Sequence, residues 1–202
     1  MLRLRVPLVL ASQSPRRRQL LERLGLPFVV HPSDADETIP PGTAPADAVG
    51  LLAERKARAV APHHAGALVL GADTLVVVDG DVLEKPADEA EAMAMLGRLS
   101  GRSHTVYTGL ALVRAERAVA VREATEVTFA DLSPEEIAAY VQTGSPLDKA
   151  GGYGIQDDLG ALFVAGVRGD YYNVVGLPLH RLYRTLRTYF ADLLVPPGVE
   201  GA

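Results

Sequence analysis

Ala67–Val78 has the sequence ALVLGADTLVVV, an apolar run rich in β-branched residues that predicts a strand. The turn signal Asp79-Gly80 follows it and predicts a hairpin that returns through residues 81–85 and ends at Pro86. Before and after this hairpin in the sequence, strand-like and helix-like segments alternate. This interleaving predicts an α/β fold with a mixed twisted sheet flanked by helices.

The other predicted elements follow from hydrophobic periodicity, capping residues and glycine stops. Strands are expected at 4–11, 103–114 and 118–130, and the last two form an antiparallel pair. Helices are expected at about 15–24, 46–60 and 88–99, then between Ser133 and Gly144, and from Pro178 onward. A long glycine-rich stretch occupies residues 145–177.

Composition limits the class of protein. A chain of 202 residues with 48% hydrophobic residues can bury one substantial core, so one globular domain is expected. The net charge of -5 argues against binding to a nucleic acid polymer, although a small anion could still find a local basic pocket. The absence of cysteine excludes disulfides, thiolate metal sites and a cysteine nucleophile. Without a signal segment or an apolar run of membrane length, a cytoplasmic protein with no membrane partner is expected.

The first predicted helix opens on Ser12–Arg18, SQSPRRR, whose second serine suits the N-cap and whose proline suits the first helical position. Three guanidiniums in the first turn are unfavourable beside the positive end of the helix dipole unless an anion binds there. Backbone N–H groups, serine hydroxyls and arginine forks at one helix start make a phosphate site. Arg16 and Arg17 favour that function, whereas Arg18 is better explained as a solvated partner of Glu22.

Lys56 lies on the apolar stripe of the second predicted helix, at helical spacing from Val49, Leu52 and Val60. Two explanations fit this position. The stem of the lysine could cover the edge of the core while its ammonium reaches water. Alternatively, the ammonium emerges in a cleft and meets a phosphate.

Asp73 is a carboxylate inside an apolar strand, where an unpaired charge is costly. The simple hairpin register sets Val78 opposite Asp81 and Thr74 opposite Lys85, so Asp73, Thr74 and Lys85 gather at one end of the ribbon. Together they could bind Mg²⁺-phosphate and orient a water whose proton the carboxylate accepts. The structural alternative is a salt bridge between Asp73 and Lys85.

Two loops carry further candidates. Asp34, Asp36 and Glu37 could supply metal ligands, although acids in a loop are more often solvated. In the segment LDKAGGYGIQ, Lys149 is a candidate substrate ligand beside three glycines that allow close backbone approach. Gln156, at the end of that segment, could read a base edge with its paired donor and acceptor, or could be a polar loop residue.

Seven blocks in this order and spacing resemble the Maf family of pyrimidine triphosphate pyrophosphatases, and several blocks in register are more specific than any one glycine-rich loop. Their order and spacing extend from residue 10 to residue 178, and the blocks contain all three lysines of the sequence. The blocks are Leu10–Leu21, Glu54–Ala57, Gly71–Thr74, Leu83–Pro86, Leu147–Gly151, Gly154–Gln156 and Val174–Pro178.

The resemblance implies an elongated fold like that of inosine triphosphate pyrophosphatases, the Maf/Ham1 fold, with a central cleft. Residues 1–195 would form a single Maf-like α/β domain with two lobes around that cleft, and the composition of 196–202 predicts a flexible tail. The family also requires a divalent metal, Mg²⁺ or Mn²⁺, for which Asp73 and Glu37 are the candidate ligands.

The resemblance also assigns roles to residues. Asp73 matches the proton acceptor of the family. The branch that prefers dTTP and UTP is marked by positions that match Arg16, Thr74 and Gln156. This chain departs from its relatives in Gln13, where glycine is common, and in Asp157-Asp158. The positions that hold the triphosphate fall on Ser12, Arg16, Arg17, Lys56 and Lys85.

The implied reaction is hydrolysis of dTTP and UTP, and of modified pyrimidine triphosphates, to the monophosphate and pyrophosphate. The resemblance, not the spacing of residues, selects attack at the α-phosphorus. The alternative is a non-catalytic, nucleotide-responsive regulator of cell division or septum formation. A P-loop kinase or GTPase is rejected because the Gly-x-x-x-x-Gly-Lys-Ser/Thr signature is missing. A homodimer is left open.

Overall fold

The computed structural model describes residues 2–157 and 159–196. The strands are β1 (Leu8–Ala11), β2 (Phe28–Val30), β3 (Leu68–Val78), β4 (Asp81–Leu83), β5 (Ser103–Arg114), β6 (Arg117–Phe129) and β7 (Val164–Arg168). The helices are α1 (Pro15–Glu22), α2 (Pro45–Val60), α3 (Glu89–Leu99), α4 (Pro134–Val141), α5 (Tyr171–Val175) and α6 (Leu179–Tyr189).

The strands form one mixed sheet in the order β2-β1-β3-β5-β6-β7, with β4 paired to β3. β1 runs parallel to both β2 and β3, whereas β4 is antiparallel to β3 and β7 is antiparallel to β6. Helices alternate with these strands along the chain. The predicted α/β class with a mixed sheet is confirmed.

The chain divides into two compact units. Unit 1 comprises Met1–Asp73, Gly109–Arg122 and Gly176–Ala202, and unit 2 comprises Thr74–Thr108 and Glu123–Val175. The single domain with two lobes around a cleft stays a prediction. Of the predicted tail at 196–202, residues 197–202 lie outside the described residues, as does Asp158.

In unit 1, helix α2 lies directly on the backbone of two strands. A Cβ added to Gly71 of β3 would lie 2.1 Å from the carbonyl oxygen of Ala53, and one added to Gly109 of β5 would lie 2.1 Å from that of Val49. Side chains do not approach a backbone oxygen so closely, so only glycine fits at either position. Small and β-branched residues of α2, β1, β3 and β5 form the core around this contact.

The core of unit 2 contains an aromatic group. Phe129 makes edge contacts with His104, Tyr153 and Phe163, and Phe163 makes one with Tyr140. The His104 ring also hydrogen bonds through Nε2 to the Tyr153 hydroxyl at 2.7 Å. Helix α3 packs against α4 and against the turns at residues 145–152.

Several predicted boundaries need correction. The first strand begins at Leu8, because Leu4 makes only an isolated bridge to Leu194. The first helix ends at Glu22, and the predicted stop at Gly25 follows with a φ of 65°. The glycine-rich stretch, for which no regular element was predicted, contains β7 and α5.

The hairpin register is confirmed at its turn, where Val78 pairs with Asp81. The pairing of Thr74 with Lys85 is wrong, because β4 ends at Leu83. Beyond that point the carbonyl of Glu84 accepts a hydrogen bond from the N–H of Gly151. The chain therefore leaves the ladder to join the turn at residues 150–152.

The predicted helix starts are confirmed by their caps. Asp88 caps α3 by accepting from the N–H of Glu91, although the Glu91 carboxylate accepts from Ala87. Ser133 and Glu136 form a complete capping box at α4. Within the described residues, no helix combines the length and the apolar character needed to cross a bilayer.

Candidate active site

The turn between β1 and α1 orders a serine and an arginine of the predicted phosphate site. The hydroxyl of Ser12 is buried and accepts from the backbone N–H of Ser14 at 3.2 Å and from Nη1 of Arg17 at 3.3 Å. The Ser14 hydroxyl caps α1 by accepting from the Arg17 N–H. The predicted N-cap at the start of the first helix is therefore confirmed.

Arg17 points inward, as its helical spacing predicts. Its Nε donates to the carbonyl of Gly176 at 2.9 Å, and its Nη1 donates to the carbonyl of Ala72 at 2.8 Å. Burial lowers the pKa of the Arg17 guanidinium below its ordinary value. The nearby carboxylate of Asp73 raises this pKa, and the guanidinium of Arg16 lowers it further. This partly buried cation donates to two carbonyls and feels the charge of Asp73, and a further anion such as a phosphate would stabilise it more.

The neighbouring arginines differ in environment. Arg18 is exposed and pairs with Glu22 at 2.9 Å, which is the structural explanation expected for it. Arg16 is half-buried and close enough for its charge to act on Arg17. Arg16 and Arg17 are therefore two positive charges close to one another at the start of α1.

Lys56 joins two carboxylates. Its Nζ lies 2.6 Å from Oδ1 of Asp73 and 3.1 Å from Oε1 of Glu37. The side chains of Lys56 and Asp73 are only 12% and 10% exposed, whereas that of Glu37 is 63% exposed. The buried Asp73 therefore has a partner, but that partner is Lys56 and not Lys85.

Local packing explains why Lys56 reaches Asp73. Asp73 lies two residues after Gly71 and so on the same face of β3. Lys56 lies about one helical turn after Ala53, whose carbonyl touches Gly71. The glycine that brings α2 onto the strand thus also brings the ammonium to the carboxylate.

The loop that carries Glu37 is held against α2. Arg55 donates through Nη1 to the carbonyls of Thr38 at 2.6 Å and Asp36 at 3.4 Å. The Asp36 carboxylate accepts from both the N–H and the hydroxyl of Thr38, and these bonds lower the pKa of Asp36. Arg55 and Lys56 are adjacent in α2, and the first holds the loop while the second contacts Glu37.

The paired carboxylates suit a hard cation. Oxygen ligands from one or two carboxylates, completed by phosphate oxygens, are typical of Mg²⁺ sites in nucleotide enzymes. Asp73 and Glu37 provide two carboxylates that contact one ammonium. Over residues 2–157 and 159–196, no three His, Asp or Glu side chains form a metal site by themselves.

In unit 2, Thr74 belongs to a hydrogen-bond network of buried polar groups. Oγ1 of Thr74 lies 3.0 Å from Oγ1 of Thr108, which donates to the carbonyl of Asn173. Because Thr108 uses its only hydroxyl hydrogen there, Thr74 is the donor in the pair. Asn173 in turn donates to the carbonyl of Val106 and to the hydroxyl of Thr125.

The other candidates of unit 2 occupy separate environments. Lys149 is buried in a polar network with Ser145, Asp148 and Asp157. Gln156 is exposed and donates to Asp157. Lys85 is exposed, two residues beyond the end of β4.

Unit 1 thus brings together six of the predicted site residues: Ser12, Arg16, Arg17, Glu37, Lys56 and Asp73. Sequence reasoning missed several residues that hold the site together, among them Arg55, Thr108 and Asn173. Arg55 stands next to Lys56 inside a block that carried the resemblance, so its position was a usable signal. Thr108 and Asn173 gave no signal, because their partners are distant in sequence.

Comparison with known proteins supports the resemblance. Three curated relatives are each named dTTP/UTP pyrophosphatase. That of Salinibacter ruber is 59% identical over 96% of both chains, and that of Symbiobacterium thermophilum is 58% identical over 90% of this chain and 93% of its own. That of Moorella thermoacetica is 57% identical over 92% of this chain and 96% of its own.

Among solved structures, the Staphylococcus aureus Ham1 protein covers 62% of this chain and 72% of its own, with a TM-score of 0.46 and 16% identity. That overlap is partial, and the site assignment does not depend on it. The sequence profile of the family described as Maf-like protein matches residues 7–189. The chain belongs to the Maf family.

Proposed function

We propose that this protein hydrolyses dTTP and UTP to the monophosphate and pyrophosphate. The observation that carries the proposal is the ion pair of Asp73 with Lys56, whose side chains are 10% and 12% exposed, beside the partly buried Arg17, on whose guanidinium the charge of Asp73 acts. Curated relatives with 57% to 59% identity over most of the chain are named for this reaction.

Asp73 is the proposed proton acceptor for the attacking water. General bases must lie within hydrogen-bond reach of the water and must stay ionised until the proton moves. The ammonium of Lys56, 2.6 Å away, compensates the charge of the carboxylate in this buried position. When a triphosphate binds, the same ammonium can also stabilise charge that develops on the phosphoryl oxygens.

Ser12, Arg16, Arg17 and Lys56 are the proposed ligands of the polyphosphate in unit 1. The turn before α1 offers backbone N–H groups, and a phosphate bound there would pair with the partly buried guanidinium of Arg17. Arg17 is fixed by the carbonyls of Ala72 and Gly176, so its position does not have to be organised when substrate arrives. Such preorganised charge is the main source of stabilisation in phosphoryl transfer.

A divalent cation, Mg²⁺ or Mn²⁺, is proposed at Asp73 and Glu37. The donor set fits, because both side chains are carboxylates and both already contact one cationic group. The exposed Glu37 can adjust its position, whereas the buried Asp73 is held by its strand. When bound, the metal would neutralise charge on the phosphate oxygens of the substrate.

Candidate residues in unit 2 also keep their proposed roles. Lys85 keeps its proposed role as a phosphate ligand. Thr74 and Gln156, together with Arg16, keep the pyrimidine-specificity role that the resemblance assigns to them. Thr74 is well suited to it, because its hydroxyl is oriented by Thr108 within a buried network.

A panel of triphosphates tests this proposal. The protein is supplied with dTTP, UTP, CTP, ATP and GTP, and with 5-modified pyrimidine triphosphates, each with Mg²⁺ or Mn²⁺, and pyrophosphate is separated from orthophosphate. We expect pyrophosphate as the product, with the highest kcat/KM for dTTP and UTP. Orthophosphate as the main product would refute the reaction, and equal use of purines would refute the specificity.

A further inference from the structure

Gln156 and the acid after it form a side-chain pair. The carboxamide of Gln156 donates from Nε2 to Oδ1 of Asp157 at 3.1 Å. Gln156 is exposed, so a ligand can reach its carboxamide. Asp157 is much less accessible, with a side chain that is 21% exposed.

The second carboxylate oxygen of Asp157 is held from three sides. Oδ2 accepts from the hydroxyl of Ser145 at 2.6 Å and from that of Tyr140 at 3.1 Å, and it lies 3.1 Å from Nζ of Lys149. The Tyr140 hydroxyl also accepts from the N–H of Gly154. These contacts fix the direction in which Oδ1 faces Gln156.

Lys149 is committed to this network. Its buried Nζ donates to the carbonyl of Ser145 at 2.5 Å and to Oδ1 of Asp148 at 2.7 Å, besides pairing with Asp157. An ammonium has three hydrogens, and hydrogen bonds to the carbonyl and hydroxyl of Ser145 and to Asp148 use all of them, while Asp157 pairs with the ammonium through its charge. Lys149 therefore compensates the charge of Asp157 within unit 2.

A carboxylate can only accept hydrogen bonds, so it distinguishes the two ends of a carboxamide. With Nε2 toward Asp157, the pair forms a charge-assisted hydrogen bond. Rotation of the Gln156 amide by 180° would place Oε1 against Oδ1, two acceptors in repulsion. Asp157 thus locks the amide in one orientation and keeps Oε1 available to a ligand.

We propose that Asp157 is a positioning residue that makes Gln156 select uracil and thymine over cytosine, with Lys149 acting through Asp157. Uracil and thymine present a donor at N3, which matches Oε1, whereas cytosine presents an acceptor at N3. A free glutamine could flip to suit either base, but the locked one cannot. This inference rests on the proposed function and specifies how the base is chosen.

Two substitutions separate this role from a structural one. In Asp157→Ala the lock is lost and both amide orientations become available. In Asp157→Asn, the donors of Lys149, Ser145 and Tyr140 hold the oxygen of the introduced amide, which turns its NH₂ toward Gln156. Gln156 then offers its own NH₂ to the base and favours cytosine.

The measurement is the ratio of kcat/KM for UTP to kcat/KM for CTP. We expect it to fall about tenfold in Asp157→Ala, the usual weight of one charge-assisted hydrogen bond, and further in Asp157→Asn. A merely structural role predicts the reverse order, since asparagine is the closer replacement. The ratio does not depend on the fraction of folded enzyme, so a loss of stability does not obscure it.

Asp148→Asn is the matched control, because it removes a carboxylate from the same Lys149 ammonium and should leave the ratio at its wild-type value. An unchanged ratio in both Asp157 variants, or a higher ratio in Asp157→Asn than in Asp157→Ala, overturns the inference and leaves the proposed function standing. Wild-type protein that hydrolyses neither nucleotide overturns the proposed function itself.

Discussion

Lys56 contacts the carboxylates of Asp73 and Glu37 at once, and most of the chemistry proposed for the molecule depends on these residues. Neither explanation offered for the lysine from sequence describes it fully. Its side chain is only 12% exposed, and its ammonium contacts the carboxylates of Asp73 and Glu37. The phosphate contact remains part of the proposal.

Substitution of Asp73 by asparagine separates catalysis from binding. Asp73→Asn keeps the size of the side chain but cannot accept the proton of water, so kcat should fall by about 10²- to 10⁴-fold. Binding of UTP without added metal, followed by calorimetry, should change much less. The control Asp81→Asn alters an exposed acid that pairs with Arg98 and should keep full activity. Undiminished turnover in Asp73→Asn would exclude Asp73 as the base.

His104 should make stability depend on pH. Burial lowers the pKa of His104 to about 4, below the ordinary value of 6.5, so the folded protein keeps the ring neutral. The unfolded chain takes up the proton first, and stability is therefore full above pH 6.5 and lost as the pH falls toward 4. The loss should reach about 2 kcal/mol between pH 7.5 and pH 5.

The measurement is the free energy of unfolding in urea at both pH values, for the wild type and for His104→Gln. Glutamine can still bond to the Tyr153 hydroxyl but does not titrate. The difference between the two pH values should shrink in this variant by the amount expected for the histidine. An equal pH dependence in both proteins would contradict the assignment.

Residue roles were predictable from sequence where they depend on local geometry. Helical spacing distinguished the inward Arg17 from Arg18, which pairs with Glu22. The cost of a buried charge predicted that Asp73 needs a partner, but the hairpin register pointed to Lys85. Long-range packing brings Lys56 to Asp73, and no local pattern encodes it.

At the scale of elements, the contact of α2 with β3 should be sensitive to one methyl group. In Gly71→Ala the new Cβ would lie 2.1 Å from the Ala53 carbonyl, so the helix must move away and carry Lys56 from Asp73. We expect a loss of about 3 kcal/mol or more of stability, and lower activity in the protein that still folds. Urea unfolding and kcat/KM for UTP measure the two effects.

Gly50 provides the matched control inside the same helix. A Cβ there meets nothing within 4 Å, so Gly50→Ala should stabilise the protein by about 0.5 to 1 kcal/mol. Equal effects of the two substitutions would show that α2 does not lie on β3 through Gly71.

Elements with strong local signals were predicted well. The long strand that became β5 has the predicted bounds, and the caps at Asp88 and Ser133 start their helices as expected. β7 and α5 were missed because they are five residues each and lie in a glycine-rich stretch where periodicity is too short to detect. The end of β4 depends on the hydrogen bond between Glu84 and Gly151, which a local register argument cannot include.

For the whole molecule, family membership came from seven separated blocks, and the comparisons confirm it. The net charge of -5 coexists with a local concentration of Arg16, Arg17 and Lys56. The net charge of the chain therefore does not argue against binding of a small anionic ligand. The composition alone would not have distinguished this chain from other acidic α/β proteins.

Removal of metal tests the proposed cation site. Because Asp73 and Glu37 alone supply few ligands, the cation should bind chiefly with the nucleotide. Chelation should abolish turnover, and added Mg²⁺ or Mn²⁺ should restore it, while the thermal unfolding temperature of the nucleotide-free protein barely changes. Full turnover in excess chelator would contradict the site.

The central claim is that water, activated by Asp73, attacks the α-phosphorus of a pyrimidine triphosphate. Hydrolysis of UTP in ¹⁸O-labelled water, with mass analysis of both products, tests it most directly. The account predicts one labelled oxygen in UMP and none in pyrophosphate. Label in pyrophosphate, or release of labelled orthophosphate, would place the attack on another phosphorus and contradict the account.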